Sequence, residues 1–200
     1  MFTFETPRLI LRDWQADDWP VAWKLASDPL VTRYQTRLRL EDESAARQWI
    51  LSAIDRNQRR PRLAYSLATV LQDSRRTIGW LNWGESANPD KGDVSFGYAL
   101  LPAMWRRGYM SEAVQAMLAH VFEVQKQESV YATCATSNPA SSGVLETAGL
   151  TLVERWIHRD DDLDLEEEYR RYRLDRTQWA RREIAPIPVV RHNPNIEPHL

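Results

Sequence analysis

The sequence predicts a mixed α/β (α+β) domain with a mostly antiparallel sheet of about seven strands and about four helices. Runs of alternating apolar and polar residues are joined by two turn-rich separators, QDSRR and GESANPDKG, a pattern typical of hairpin strands. One strand–loop–helix unit, at residues 94–122, interrupts these runs. The glycine patterns G-x-G-x-x-G and G-x-x-x-x-G-K-[ST] are both absent, which argues against a doubly wound dinucleotide fold and a P-loop fold.

The first half of the chain supplies one strand, two helices and a set of hairpin strands. Residues 8–14 (RLILRDW) read as the first strand. Asp17 or Asp18 then caps a helix that has Pro20 in its first turn and ends near residue 26. The second helix covers residues 41–58, because its acidic first turn suits the helix dipole and its apolar residues recur at helical spacing. The following strands are at residues 63–70, 77–83 and 94–100.

The second half changes period at a glycine. Residues 94–100 alternate as a pleated strand does, whereas after Gly108 the apolar residues fall on one face of a helix that begins at 109–112. An Asn-Pro pair at 138–139 ends the next strand, and Gly149 ends a short helix as a C-cap residue. The remaining predicted elements are strands at 130–135, 150–156 and 169–174 and a helix at 140–147.

Composition limits the class of protein. The 200 residues, 43% hydrophobic, fit one domain, which we place at 1–182 and follow with a Pro-rich irregular tail at 183–200. Neither a transmembrane stretch nor a secretory leader is recognisable, so we expect a cytoplasmic protein without a membrane partner. A net charge of −2 without a basic stripe argues against nucleic-acid binding. Cys134 is the only cysteine, which rules out an internal disulfide and a cysteine-rich metal site, and we expect no metal cofactor.

The turn around Gly108 has the chemistry of an anion site. A strand, a glycine turn and a helix start gather unpaired backbone N–H groups at the positive end of the helix dipole. Arg106 and Arg107 add positive charge beside them. The expected ligand is a phosphate or a pyrophosphate. The alternative is a purely structural connection, since strand–glycine–helix units are common.

Three motifs resemble the GNAT superfamily of acetyl-CoA-dependent N-acetyltransferases, and in particular its RimJ/RimL-like branch. Residues 105–113, WRRGYMSEA, resemble motif A (Q/R-x-x-G-x-G/A) in the branch's form W-G-x-G-Y-[AM]-[ST]-E-A. Residues 138–150, NPASSGVLETAGL, resemble N-x-x-S-x-x-V-L-E-K-x-G-F, and residues 6–12, TPRLILR, resemble T-x-R-L-x-L-R. The likeness extends from about Thr6 to Trp179, and three motifs in the right order and spacing make it specific.

The chain departs from the family pattern at three positions. Met110 stands where the family has a small residue after the loop tyrosine. Leu145 stands where other branches often have an acid tyrosine, and Ser95 stands at a position that holds a carboxylate in many relatives. These departures support a rival hypothesis, an acyl-CoA-binding regulatory module with little or no turnover.

The resemblance implies a GNAT-like sheet that splays between its fourth and fifth strands, here residues 94–100 and 130–135. Acetyl-CoA is the implied cosubstrate, with its pyrophosphate at the helix start, its pantetheine in the splay and its thioester carbonyl on a backbone N–H near residues 98–100. Gly97 suits the bulge that such a splay needs. The cofactor-binding residues that the resemblance implies are Leu100, Arg106, Arg107, Gly108, Tyr109, Met110, Ser111, Asn138 and Ser141.

The implied reaction is direct attack of a neutral amine on the thioester, without a covalent enzyme intermediate. Ser141 is the candidate donor to the departing thiolate, or else a hydroxyl that satisfies the start of its helix. Asp93 and Ser95 share a strand face and are the candidates for the acceptor side, with Asp93 taking a proton through water or remaining a solvated turn residue. Asn138 either holds pantetheine or shapes the Asn-Pro turn, and Glu112 fits a partner of the first helical turn better than a catalyst.

Without a strong base, the site fits an amine of low basicity better than a lysine. A lysine amine has a pKa of about 10.4, whereas an α-amine, at about 7.7–8.0, is partly neutral near pH 7. We therefore expect the acceptor to be a protein N-terminal amine or a small-molecule amine. The acidic run at 160–168 either attracts a cationic acceptor or is simply solvated. The polar loop at 28–40 is a predicted wall of the acceptor groove. The sequence leaves open whether the protein forms a homodimer.

Overall fold

The computed structural model describes residues 1–35, 38–85, 93–160, 165–182 and 191–192. The strands are Thr3–Glu5 (β1), Leu9–Asp13 (β2), Ala64–Leu71 (β3), Thr77–Glu85 (β4), Asp93–Leu100 (β5), Ser129–Ala135 (β6), Thr151–Asp160 (β7), Leu165–Asp175 (β8) and Arg191–His192 (β9). The helices are Trp19–Ser27 (α1), Pro29–Thr32 (α2), Glu43–Gln58 (α3), Tyr109–Ala119 (α4), Pro139–Thr147 (α5) and Arg176–Arg181 (α6). A π-helical turn, His120–Val124, continues α4.

The predicted fold class is confirmed. Within the described ranges, the strands form one sheet in the order β7-β8-β6-β5-β4-β3-β2-β1-β9, and β5–β6 is its only parallel pair. All seven predicted strands and all four predicted helices are present, and β1, β9, α2 and α6 are additional. Residues 191–192, inside the segment predicted as an irregular tail, pair with β1 as β9, and residues 183–190 and 193–200 lie outside the described part.

The sheet opens between β5 and β6, as predicted. The two strands pair at only three positions, where residues 93–95 face residues 129–131. Beyond them, β5 continues against β4 up to Leu100, while β6 continues against β8 up to Ala135. The carboxyl-terminal half of β5 therefore has a strand on one side and a cleft on the other.

The face of the sheet that carries Ser66 is covered by α1 and α3. Ser66, Asn82 and Gly97 are cross-strand neighbours on β3, β4 and β5, so they lie on the same face. On this face the Trp14 indole donates to Ser66 Oγ at 3.1 Å and packs edge-on against Trp49 of α3. Helix α1 packs along α3 and contacts β4. We call this the α3 face.

The opposite face carries α4 and α5. Side chains alternate along a strand, so Tyr98 points away from the face of Gly97. Its hydroxyl contacts Ser141 in the first turn of α5, and α5 packs against α4. We call this the α5 face. The cleft between β5 and β6 thus lies between two layers of helices.

A buried ion pair joins β2 to the turn before α1. Arg12 donates to both carboxylate oxygens of Asp18, at 2.7 and 2.9 Å, and the two side chains are 14% and 7% exposed. Asp18 also accepts from the Gln15 N–H at 2.8 Å and from the Thr77 hydroxyl of β4 at 2.7 Å. Burial by itself raises the pKa of Asp18, but the hydrogen bonds from Arg12, Gln15 and Thr77 outweigh burial and place this pKa below its usual value.

We predict that Asp18→Asn destabilises the protein by about 3 kcal/mol at pH 7, because it leaves a buried guanidinium without its counter-charge. The native pKa of Asp18 lies below its unfolded value of about 3.9, so this stabilisation is present above that pH. It is lost as the pH falls through the native pKa. The difference in unfolding free energy between the wild type and the variant, measured by urea denaturation, should therefore shrink between pH 5 and pH 3.

Asp55→Asn is the matched control for this measurement. Asp55 pairs with Arg59 on the surface of α3, where both side chains are about two-thirds exposed. Its loss should change the unfolding free energy by less than about 0.5 kcal/mol at any pH. A difference between Asp18→Asn and the wild type that stays constant down to pH 3 would contradict the assigned pKa direction.

Candidate active site

The loop before α4, residues 106–111, gathers backbone N–H groups at one corner, which we call the anion corner. Arg106 and Gly108 both have left-handed φ angles, +59° and +75°, and Gly108 is the N-cap residue of α4. The first hydrogen bond of the helix joins Glu112 N to Gly108 O at 3.1 Å. The N–H groups of residues 109–111 therefore lack intrahelical partners and lie at the positive end of the helix dipole. The exposed Arg106 and Arg107 side chains border this corner, so the structure brings the predicted loop residues together.

Two departures from the family pattern have a simple structural account. The Met110 side chain is buried in the core, so its bulk lies away from the loop surface. Leu145 is also fully buried, so α5 presents an apolar side chain to the core at this position. Met110 thus leaves the anion corner open, whereas Leu145 supplies no proton donor.

Glu112 ties the anion corner to the turn between β1 and β2. One carboxylate oxygen accepts from the Thr6 hydroxyl at 2.5 Å and from the Arg8 N–H at 2.9 Å. The other oxygen accepts from Arg8 Nε at 2.6 Å. Arg8 also donates through Nη1 to the Arg107 carbonyl at 2.9 Å, and its guanidinium lies 4.8 Å from the centre of the Tyr109 ring. Glu112 is therefore a structural partner of the loop, as the sequence favours, and Arg8 holds the loop's backbone.

The open edge of β5 has its carbonyl groups occupied by side chains. Leu101 N donates to a carbonyl of β4, so alternation turns the backbone groups of Tyr98 and Leu100 towards the cleft. The Tyr98 carbonyl accepts from Gln35 Nε2 at 3.2 Å, and the Leu100 carbonyl accepts from Trp105 Nε1 at 2.7 Å. The groups that this edge offers to a ligand are therefore the N–H groups of Tyr98 and Leu100.

Ser141 lies at the α5 side of the cleft, and its hydroxyl contacts the hydroxyl of Tyr98. Ser141 Oγ is 3.0 Å from the Tyr98 hydroxyl, which also lies 3.2 Å from the Ser141 carbonyl oxygen. Burial raises the pKa of Tyr98 well above its ordinary value, so the phenol is neutral. Asn138 caps α5, since its side chain accepts from the Ser141 N–H at 3.1 Å. The serine hydroxyl is thus not the cap, and Asn138 has a structural role whatever else it contacts.

The lone cysteine lies beside this pair. Cys134 on β6 is buried, and its sulfur is 3.4 Å from Ser142 Oγ. Burial raises the pKa of the Cys134 thiol, so the thiol remains protonated at neutral pH. This setting is unlike that of a nucleophilic cysteine, which needs a stabilised thiolate.

Ser95, another candidate catalytic residue, does not join Ser141. Ser95 is half-buried, and its cross-strand neighbour is Gly84 of β4. Alternation puts Ser95 on the α3 face, opposite the phenol of Tyr98. Asp93 begins β5 and pairs with Ser129, and its side chain lies outside the described residues.

Tyr34 and Gln35, which follow α2, bridge the cleft. Gln35 holds β5 as described above, and the Tyr34 hydroxyl donates to the Ser137 carbonyl just after β6, at 2.9 Å. The Ser137 hydroxyl in turn donates to the Glu167 carboxylate at the start of β8. One part of the predicted groove wall and one end of the acidic run therefore meet at the cleft. Residues 36–37 and 161–164 lie outside the described part of the chain.

Within the described ranges, no group of three or more His, Cys, Asp or Glu side chains is arranged to hold a metal ion. Among the same residues, no helix combines the length and apolar character that crossing a membrane requires.

Sequence reasoning did not identify the side-chain contacts of several residues of the site: Arg8, Gln35, Tyr98 and Trp105. Tyr98 had a usable signal, since its hydroxyl stands on an otherwise apolar strand face beside the cleft. The other three act through partners more than four residues away, and no local pattern identifies them.

Comparison with known proteins agrees with this geometry. Residues 8–151 match the model of a family described as "Acetyltransferase (GNAT) domain". The FsC-acetyl coenzyme A-N(2)-transacetylase of Aspergillus fumigatus is 31% identical over 90 residues, which are 44% of this chain and only 38% of that protein. The uncharacterized N-acetyltransferase p20 of Bacillus licheniformis is 27% identical over 160 residues, covering 80% of this chain and 87% of the relative.

Solved structures show the same fold. A GNAT-family acetyltransferase from Bacillus anthracis has a TM-score of 0.77 at 20% identity and covers 88% of this chain and 99% of its own. The RimL ribosomal-protein alpha-N-acetyltransferase in complex with coenzyme A has a TM-score of 0.72 at 18% identity, with coverages of 85% and 95%. Spermidine N-acetyltransferase from Vibrio cholerae, in complex with CoA and spermine, has a TM-score of 0.72 at 13% identity, with coverages of 86% and 98%.

We predict that Arg8→Lys raises the Kd for coenzyme A about five- to tenfold. Lysine keeps the positive charge but lacks the planar fork that binds Glu112 and the Arg107 carbonyl together, so the loop loses its fixed shape. Isothermal titration calorimetry measures this Kd directly. Because charge is unchanged, a weaker affinity reports the geometry of the loop.

The control is Arg59→Lys, which alters an exposed arginine on α3. It should leave the Kd for coenzyme A within twofold of the wild type. Equal affinities for the wild type and Arg8→Lys would show that the tie to Glu112 does not shape the anion corner.

Proposed function

The chain belongs to the GNAT family of acetyl-CoA-dependent N-acetyltransferases, and we propose that it acetylates a primary amine, either a protein N-terminal α-amine or a small-molecule amine. The observation that carries this proposal is the divergence of β5 from β6 next to the start of α4. An anion corner and an open strand edge together fit a ligand with a pyrophosphate at one end and amides along its arm.

The pyrophosphate of CoA would occupy the corner formed by residues 106–111. The unpaired N–H groups at the start of α4 supply hydrogen bonds, and Arg106 and Arg107 supply charge. Glu112 contributes no repulsion of consequence, because Arg8 neutralises it at 2.6 Å. The charged side chains at the corner, three arginines against Glu112, therefore leave a net positive charge beside the proposed diphosphate site.

The pantetheine arm would extend along β5 towards Tyr98. The N–H groups of Tyr98 and Leu100 face the cleft, whereas the N–H groups of residues 97, 99 and 101 face β4. One of the two cleft-facing N–H groups would donate to the thioester carbonyl and stabilise the oxyanion of the tetrahedral intermediate. Gln35 and Trp105 favour this assignment, because they hold the strand edge in place through its carbonyls.

Acetyl transfer would proceed by direct attack of the neutral amine on the thioester carbon. The new C–N bond forms, the C–S bond breaks with its electron pair on sulfur, and the amine proton is released to solvent. Ser141 would donate to the departing thiolate, and Cys134, buried and protonated, takes no covalent part. Asp93 and Ser95 are the proposed residues on the acceptor side of β5.

An amine of low basicity fits this arrangement best. Residues 94–100 of β5 contain no carboxylate, so the part of the strand beside the thioester has no strong base, and Asp93 at the start of the strand would take a proton only through water. The solved relatives do not choose between acceptor classes, since RimL is named for a protein α-amine and the Vibrio cholerae enzyme for spermidine. The α-amine is favoured because a useful fraction of it is already neutral near pH 7.

We predict that the protein releases free thiol from acetyl-CoA with α-amine peptides at least tenfold faster than with N-blocked peptides that carry one lysine, at pH 7. Roughly a tenth of an α-amine is neutral there, against less than about a thousandth of a lysine amine. A thiol-reactive dye measures the rate over a panel of both peptide types and small amines. Charge reversal at Arg106 and Arg107 should abolish the signal at low acetyl-CoA concentration.

Two outcomes contradict parts of this proposal. Binding of acetyl-CoA without thiol release across the whole panel would favour a binding module over an enzyme. Faster reaction with the lysine peptides would overturn the proposed acceptor class and leave the acetyltransferase activity in place.

We further predict the pH dependence for a good α-amine acceptor. The protonated amine cannot attack, so kcat/KM should rise about tenfold per pH unit in acid and level off above about pH 8. A profile that levels off near pH 5 would instead reveal a carboxylate base that removes the acceptor's proton. Steady-state rates between pH 5.5 and pH 9 separate these two results.

A further inference from the structure

The phenol of Tyr98 is a polar group that the reaction described so far does not use. Tyr98 lies on β5, its own N–H group faces the cleft, and its side chain reaches the first turn of α5. Its hydroxyl contacts both the Oγ and the carbonyl oxygen of Ser141, at 3.0 and 3.2 Å. No other side chain on the α5 face of β5 has a hydrogen-bonding group, since the neighbours two residues away are Phe96 and Leu100.

We propose that Tyr98 is a positioning residue for the departing thiolate: its phenol donates to Ser141 Oγ and directs the serine hydrogen at the sulfur. The inference rests on the proposed function, because it needs the CoA sulfur beside Ser141. It adds the Tyr98 hydroxyl to the leaving-group side, so that Tyr98 and Ser141 act together on the thiolate.

The phenol hydrogen of Tyr98 has two acceptors within reach, the Ser141 carbonyl oxygen at 3.2 Å and Ser141 Oγ at 3.0 Å, and the proposal assigns it to Oγ. A phenol is a better hydrogen-bond donor than an aliphatic alcohol, and each hydroxyl has one hydrogen to give. When Tyr98 donates to Ser141 Oγ, the serine hydrogen is free to point into the cleft. Hydrogen bonds in series polarise one another, so the serine becomes a stronger donor to a thiolate than it is alone.

The start of α5 strengthens the same effect. Asn138 caps the Ser141 N–H, which fixes the first turn and the place of the serine. The positive end of the α5 dipole then lies on the side where negative charge develops on sulfur. Leu145, one turn later on α5, is buried and has no hydrogen to donate. The hydroxyl groups of Tyr98 and Ser141 are therefore the proposed donor to sulfur.

The step balances without a further reactant. Electrons of the C–S bond go to sulfur, and the thiolate is stabilised by the Ser141 hydrogen bond. No proton leaves Tyr98 or Ser141, and solvent, which received the amine proton, returns one to CoA after release. Burial keeps Tyr98 neutral over the assay range, as a pure donor requires.

The experiment compares Tyr98→Phe, Ser141→Ala and the double variant. We expect each single change to lower kcat about tenfold while the Kd for CoA stays within twofold. The double variant should match Ser141→Ala, because without the serine the phenol has nothing to direct. Tyr172→Phe is the matched control: Tyr172 is buried on β8, and its hydroxyl reaches α5 at Glu146, 3.0 Å away and outside the cleft.

A second readout needs no acceptor and no turnover. The thiol of bound CoA is titrated by its thiolate absorbance below pH 9.5, with the titration of the protein alone subtracted. We expect Tyr98→Phe and Ser141→Ala each to lower the acid ionisation constant of the bound thiol about five- to tenfold relative to the wild type, and Tyr172→Phe to leave it unchanged. A role in packing alone would lower the melting temperature without this change.

The outcomes separate the two proposals. Equal kcat and equal thiol ionisation in the wild type and Tyr98→Phe overturn the positioning role, as do independent, multiplying losses in the double variant. If CoA binds and no amine is acetylated, the proposed function fails while the thiol titration still decides the role of Tyr98. A protein that binds no CoA overturns both.

Discussion

The early separation of β5 from β6 is the constraint on which the site depends. Three paired positions hold the two strands together, and the backbone groups beyond them on the cleft side of β5 have no strand to bind. Backbone polar groups away from water need partners. The protein supplies side chains for two carbonyls, through Gln35 and Trp105, and leaves the neighbouring N–H groups for a ligand. At this strand edge the backbone carbonyl groups of Tyr98 and Leu100 are therefore hydrogen-bonded, whereas their N–H groups are available.

The anion corner is positioned relative to this edge by contacts from a distant part of the chain. Trp105, which holds the Leu100 carbonyl, directly precedes the left-handed Arg106, so the strand edge and the loop are covalently continuous. Arg8 fixes the far side of the loop by binding Glu112 and the Arg107 carbonyl. The spacing between the proposed diphosphate site and the proposed acyl site is thus set by a few residues at each side of one turn.

The sequence predicts a helix or strand well where the element is long enough for its spacing of apolar residues to repeat several times. The helix at 41–58 and the strand at 94–100 are seen because apolar residues repeat several times, whereas α2 and α6 are too short to show a repeat. The anion corner was predicted because its residues are consecutive. The partners of Tyr98 and Glu112 were not, since Ser141 is 43 residues and Arg8 is 104 residues away, and only the folded chain brings them together.

The two faces of β5 divide the chemistry. Tyr98 and Ser141 lie on the α5 face, where sulfur would become negative, and Ser95 lies on the α3 face, where the amine would lose its proton. A strand alternates its side chains by geometry, so Tyr98 and Ser95 would supply groups to opposite sides of one thioester. The proposed thiolate donor and the proposed acceptor-side serine therefore lie on opposite faces of β5, and the strand backbone separates them.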